Sequence, residues 1–126
     1  MHVTAIDNGA ISPSLLATGL VEHLREDGFR YRPRKPVAWM VCDMVEKPAR
    51  ISRLASEWFS GGYASHCIFN LKLPMKSRYA EVRKCLESIE ADLAAAGLSR
   101  GTHYVLACRH LYHDREEVTC YLGMPA

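Results

Sequence analysis

The chain has 126 residues, 48% of them hydrophobic and 24% charged, and carries a formal net charge of +2. That length fits a single domain, residues 1–126, able to bury roughly two-thirds of its unfolded surface without disulfide or metal staples. The charge is too small to decide a partner, and no run reaches the roughly 18 continuous apolar residues of a membrane span. The opening stretch "MHVTAIDNGAISPS" has no basic region leading into an apolar one, so a cytoplasmic protein is expected.

Taken in chain order, Ser12-Pro13 opens a helix whose face is Leu15, Leu16, Leu20 and Leu24, closed by Gly28. The run "FRYRPRKP" follows, with Arg30, Arg32, Arg34 and Lys35 around Tyr31. Pro33 and Pro36 deny it a helix and favour an extended strap. Guanidinium forks beside a stackable ring suit a phosphate backbone, and the bland alternative is a solvated linker. Residues 37–45, "VAWMVCDMV", form a nearly unbroken apolar run, which predicts a strand covered on both faces. Pro48 starts a second helix with Ile51, Leu54, Ala55 and Trp58 at helical spacing, and "SGGY" ends it.

The stretch "HCIFNLKLP" then alternates, with Cys67, Phe69, Leu71 and Leu73 on one side and His66, Ile68, Asn70 and Lys72 on the other. Ser77 is expected to cap a helix over about residues 78–96, with Tyr79, Val82, Leu86, Ile89, Leu93 and Ala96 as its core stripe and Gly97 at its end. Two strands, "THYVLACRHLYH" and "EEVTCYLGM", close the chain around a polar turn at Asp114-Arg115. Both tryptophans, Trp39 and Trp58, lie on apolar patterns and are expected in the core. Helices interleaved with strands and ending in a hairpin predict an α+β fold, a ferredoxin-like two-layer sandwich with a mainly antiparallel sheet and helices packed on one face.

The five cysteines form no tight pairing pattern, so thiols are expected, with Cys42, Cys67 and Cys85 as small core residues. The cluster "CRHLYHDREEVTCY" is richer. A two-residue turn would set His110 opposite Thr119, whereas a three-residue turn would set it opposite Cys120 and converge Cys108, His110 and Cys120. The spacing is not that of a zinc ribbon or finger. There is no phosphate-binding glycine loop, no H-E-x-x-H and no G-x-S-x-G.

Residues 48–126 resemble the N-terminal domain of plasmid-mobilisation relaxases, the HUH DNA nickases. The match lies in element order: the strand "SHCIFNLKLP", the helix "YAEVRKCLESIEADLAAAGLS" and the segment "HYVLACRHLYHDREEVTCYLG". The resemblance places His110 on the family's strand histidine. It puts Glu117 and Thr119, around Val118, where the family has its metal-holding histidine pair. It also leaves the first helix without the catalytic tyrosine. The resemblance therefore implies a relaxase-like shell without nicking chemistry, from a mobile genetic element.

On this reading the chain is a non-catalytic protein docking on nucleic acid or a nucleoprotein, with no cofactor. Its contacts would be Arg30, Tyr31, Arg32, Arg34, Lys35, Arg50 and Arg53. One alternative is a protein-binding inhibitor of a host defence complex, anti-CRISPR-like, acting through protein–protein interaction. Another is a metal-dependent nicking enzyme in which His110, His113 and Glu117 hold a divalent ion.

Overall fold

In the computed structural model, residues 2–7, 9, 12–110 and 116–126 are described. The chain divides into two compact units, Met1–Arg32 and Pro33–Ala126.

The first unit holds β1 (Val3–Ile6), α1 (Pro13–Ala17) and β2 (Val21–Leu24). The two strands pair in parallel, from Val3 opposite Val21 to Ile6 opposite Leu24. The helix expected to run to Gly28 therefore ends at Ala17. Thr18 stops it: its hydroxyl donates to the Leu15 carbonyl at 2.7 Å and accepts from the Leu20 amide at 3.2 Å. Gly19 follows at φ +72°, a left-handed turn that an L side chain rarely adopts. Leu15, Leu16 and Leu20 are exposed and form no core face.

The second unit holds β3 (Val37–Cys42), α2 (Pro48–Ser60), β4 (Ala64–Lys72), α3 (Arg78–Ala95), β5 (Val105–Arg109) and β6 (Glu117–Gly123). The strand order is β3-β4-β6-β5. β3 and β4 are parallel, whereas β4 with β6 and β5 with β6 are antiparallel. The fold is α+β as expected, but the strands are not mainly antiparallel: over the two sheets of the described residues, two pairings are parallel and two antiparallel. For β3 and β4 the reason is α2, a crossover long enough to bring β4 back in the direction of β3.

Pro48 sits at the start of α2, where its missing N–H costs nothing. The helix buries Ile51, Leu54, Ala55, Trp58 and Phe59. Ser52 and Ser56 share that face, and their hydroxyls donate to the carbonyls of Pro48 and Ser52 at 2.8 and 3.0 Å. Against them lie Cys67, Phe69 and Leu71 of β4, with Cys120 and Leu122 of β6, all five fully buried. Burial of each large apolar side chain contributes about 1.5–3 kcal/mol.

Of the expected α3 stripe, Ile89 and Leu93 are fully buried, Val82 and Leu86 are half-buried and Tyr79 is 79% exposed, while Cys85 joins the buried face. Ser77 occupies the N-cap position with φ 58° but makes no side-chain capping bond. Gly97, at φ +82°, follows the helix, and Leu98 N–H returns to the Leu93 carbonyl at 2.9 Å. The expected core thiols Cys42, Cys67 and Cys85 are buried. Burial pushes the Cys67 thiol up to about 12. Among the described residues, no helix is long and apolar enough to cross a membrane.

The opposite face of this sheet is open. Trp39, expected in the core, is 49% exposed, and Val41 is 71% exposed. "VAWMVCDMV" is therefore covered on one side only, by Met40 and Cys42 turning inward.

Candidate functional site

Strand phase carries a polar group onto the open face. In β4 the inward residues are Cys67, Phe69 and Leu71, so His66, Ile68, Asn70 and Lys72 point the other way. Asn70 lies opposite Thr119 and Lys72 opposite Glu117 in the ladder with β6. Asp43 follows the last residue of β3, and Lys72 is the last of β4. Because β3 and β4 are parallel, both ends lie together at the carboxyl edge, where ligands bind in α/β sheets.

The Lys72 ammonium donates to Asp43 Oδ1 at 3.1 Å and to the Glu117 carboxylate. The Asn70 amide donates to Asp43 Oδ1 at 2.8 Å and to Glu117 Oε1 at 3.4 Å. The Thr119 hydroxyl donates to Asn70 Oδ1 at 2.7 Å. The Asn70 amide, then the Lys72 ammonium, hold the Asp43 carboxyl below the usual carboxylate range. The Glu117 side chain is 15% exposed and that of Asp43 65%. Two carboxylates thus share one ammonium, and one of them opens to solvent.

Further back on the same face, Trp39 stacks on His66 with ring centroids 4.5 Å apart, and His66 Nδ1 lies 2.7 Å from the Tyr121 hydroxyl. Gly123 lies beside them. A Cβ there would come within 2.2 Å of the Tyr121 oxygen, so the close approach requires glycine.

Of the residues singled out from sequence, Glu117 belongs to the polar group at the carboxyl edge, as one of the two carboxylates on Lys72. The others fall elsewhere. Arg30 pairs loosely with Asp27 at 3.8 Å, and the Arg32 guanidinium donates to the carbonyls of Phe29 and Tyr31 at 3.1 and 2.7 Å. The amides of Arg30 and Tyr31 both donate to the Asp27 carbonyl, so this part of the strap is a turn. Arg34 and Lys35 are exposed, in the second unit. Arg50 and Arg53 of α2 pair with Glu46, just before the helix, and with Glu57 within it, at 2.9 and 3.3 Å. His110 is exposed just beyond β5, and His113 and the turn at Asp114-Arg115 lie outside the described residues.

The terminal ladder takes neither expected register. Cys108 lies opposite Cys120 and Arg109 opposite Thr119, so the described pairing ends before His110. Cys108 and Cys120 do meet, and the thiol of Cys120 is driven up by its bond to Cys108 and by burial. No group of three or more His, Cys, Asp or Glu side chains able to hold a metal ion occurs among the described residues. Sequence reasoning missed Asp43, Asn70, Lys72 and Thr119 as a site. The available signal was polar side chains closing two apolar strands, "VCD" and "NLK".

No family profile matches the chain. The chain is similar to part of a ribosomal RNA methyltransferase. It is 57% identical over 122 residues to "Ribosomal RNA large subunit methyltransferase M" of Azotobacter vinelandii, covering 97% of this chain and 33% of that protein. Proteins of the same name from Pseudomonas fluorescens and Methylococcus capsulatus are 55% and 54% identical over 97% and 98% of the chain. The chain spans about a third of the length of these relatives.

Among solved structures, that of a possible exported protein from Bordetella parapertussis superposes with a TM-score of 0.56 at 12% identity, over 99% of this chain and 54% of that one. At that identity the likeness concerns the fold alone. The methyltransferase similarity overturns the relaxase resemblance, which rested on element order that other α+β domains share. The mobile-element, anti-CRISPR and non-catalytic readings fall with it.

Proposed function

We propose that the chain is the part of a ribosomal RNA methyltransferase that carries the acceptor side of the methyl-transfer site, with Lys72, Asp43 and Glu117 as its working residues. The observation that carries this reading is Lys72 held between two carboxylates at the carboxyl edge of the parallel pair β3 and β4. An RNA-modifying protein of this kind works in the cytoplasm, and its partner is ribosomal RNA. The parallel β3/β4 pair suits a nucleotide-binding α/β sheet better than a ferredoxin-like sandwich.

The cluster carries two carboxylates against one ammonium, a balance that tolerates a positively charged methyl donor. S-adenosylmethionine, when bound, supplies the methyl group as a sulfonium electrophile. Asp43, held ionised, accepts a hydrogen bond from the acceptor group and orients its lone pair. The Lys72 ammonium, fixed from both sides, donates to the acceptor atom as its proton leaves. That proton passes to Asp43 or to water touching it. A heteroatom bearing a removable proton is the acceptor class that suits this cluster, because the thiol of Cys42, next to Asp43, is buried and pushed up chiefly by that burial. The exposed Arg34 and Lys35 are suited to RNA phosphates.

The test is a chimera in which this chain replaces the matching third of the Azotobacter vinelandii protein. Labelled S-adenosylmethionine and protein-free large-subunit RNA report transfer. Transfer by the chimera, lost on Lys72→Ala, supports the reading; transfer undiminished by Lys72→Ala overturns it.

A further inference from the structure

We propose that Thr119 and Asn70 are positioning residues: they tie down Asp43 Oδ1 and leave Oδ2 as the oxygen offered to the acceptor. This rests on the methyl-transfer reading of the cluster. The two residues lie directly opposite each other in the β4–β6 ladder. The Asn70 amide has two chemically different ends, and each is specified. Its oxygen can only accept, and it accepts from the Thr119 hydroxyl at 2.7 Å. Its nitrogen then faces Asp43 Oδ1 at 2.8 Å and Glu117 Oε1 at 3.4 Å. A flipped amide would turn its oxygen onto two carboxylates and lose the threonine bond.

Asp43 needs such a tether. Its side chain is 65% exposed, and a solvated carboxylate turns freely about its terminal bond. The Lys72 ammonium reaches the same oxygen at 3.1 Å, but on a flexible stem and shared with Glu117. Asn70 grows from a strand backbone and is braced by a β-branched neighbour, so it supplies direction as well as charge stabilisation. Among the described residues, no protein donor reaches Asp43 Oδ2.

The ionisable groups around Asp43 are Lys72 on β4, Glu117 on β6 and the buried Cys42 beside it on β3. Lys72 favours the carboxylate, whereas Glu117 and a Cys42 thiolate would oppose it. The Asn70 amide is the largest cause of the lowered Asp43 carboxyl, ahead of Lys72.

The experiment follows the Asp43 carboxyl carbon by NMR through an acid titration of the 126-residue chain, beside transfer assays on the chimera. Thr119→Val keeps the shape and removes the hydroxyl; Thr119→Ser restores it. The expected result is an upward move of the Asp43 midpoint in Thr119→Val and a larger one in Asn70→Leu. Thr119→Ser should stay near the parent. In the chimera, Thr119→Val should lower kcat about tenfold with KM for RNA little changed, as losing one orienting bond predicts. A midpoint unmoved in both Thr119→Val and Asn70→Leu overturns the proposal, even where Lys72→Ala still abolishes transfer. Should Thr119→Ser behave like Thr119→Val, the effect is one of packing and the proposal also falls. If the midpoints move as expected while Lys72→Ala leaves transfer intact, the brace stands and the methyl-transfer reading is what fails.

Discussion

The two faces of the β3-β4-β6-β5 sheet are built from the same strands and behave as different materials. Along β4, Cys67, Phe69 and Leu71 are fully buried under α2, while their neighbours His66, Ile68, Asn70 and Lys72 remain partly exposed. The covered face is apolar and close-packed. The open face grades from the Trp39–His66–Tyr121 aromatic group to the Asp43–Lys72–Glu117 charges. The period of two along a strand thus separates stability from chemistry at a spacing of one residue.

That separation can be broken at its sharpest point first. Lys72→Ala is expected to lower methyl transfer by the chimera at least about a hundredfold, while urea unfolding of the chain changes little. A large stability loss would mean that the open face also holds the fold together. Phe69→Ala tests the other side. Removing a fully buried ring should cost about 3–5 kcal/mol of unfolding free energy, whereas Val41→Ala on the open face should cost well under that.

Gly123→Ala is a subtler probe. The new Cβ must push the Tyr121 hydroxyl away and disturb its bond to His66, at a cost of about 1–3 kcal/mol readable as a lowered Tm. The smallest effect concerns acid. Asp43 titrates below an ordinary aspartate, so its contribution is present above the ordinary carboxylate pKa and is lost as pH falls through the lowered one. Asn70→Leu should therefore narrow the stability gap between neutral and acid pH slightly, because Asp43 is largely exposed. Calorimetry across that pH range measures it.

Much of the second unit was legible because its periodicities are strong. Ile51, Leu54, Ala55 and Trp58 announced α2, and the alternation of Cys67, Phe69 and Leu71 gave β4 its inward face. The first unit was not. Leu16, Leu20 and Leu24 fit helical spacing, yet Val21–Leu24 pairs with Val3–Ile6, a partner no local pattern reveals. The candidate site was hidden for a related reason. Asp43 sat inside an apolar run, and Lys72 read as one polar step of an alternating strand. Only the parallel pairing of β3 and β4 brings residues 43 and 72 to one edge, and parallel pairing is a long-range fact. Trp39 was assigned to the core because an apolar strand does not declare whether one face or two are covered.

Lys72 and Glu117 form the last rung of the β4–β6 ladder, and just beyond it the Leu73 amide donates to the Glu116 carbonyl at 2.6 Å. Lys72 and Glu117, one of the two carboxylates that grip its ammonium, therefore inherit whatever fraying these strand ends undergo. Solvent exchange at the Leu73 amide becomes a gauge of how often the grip loosens, readable in the resting protein before any RNA is added.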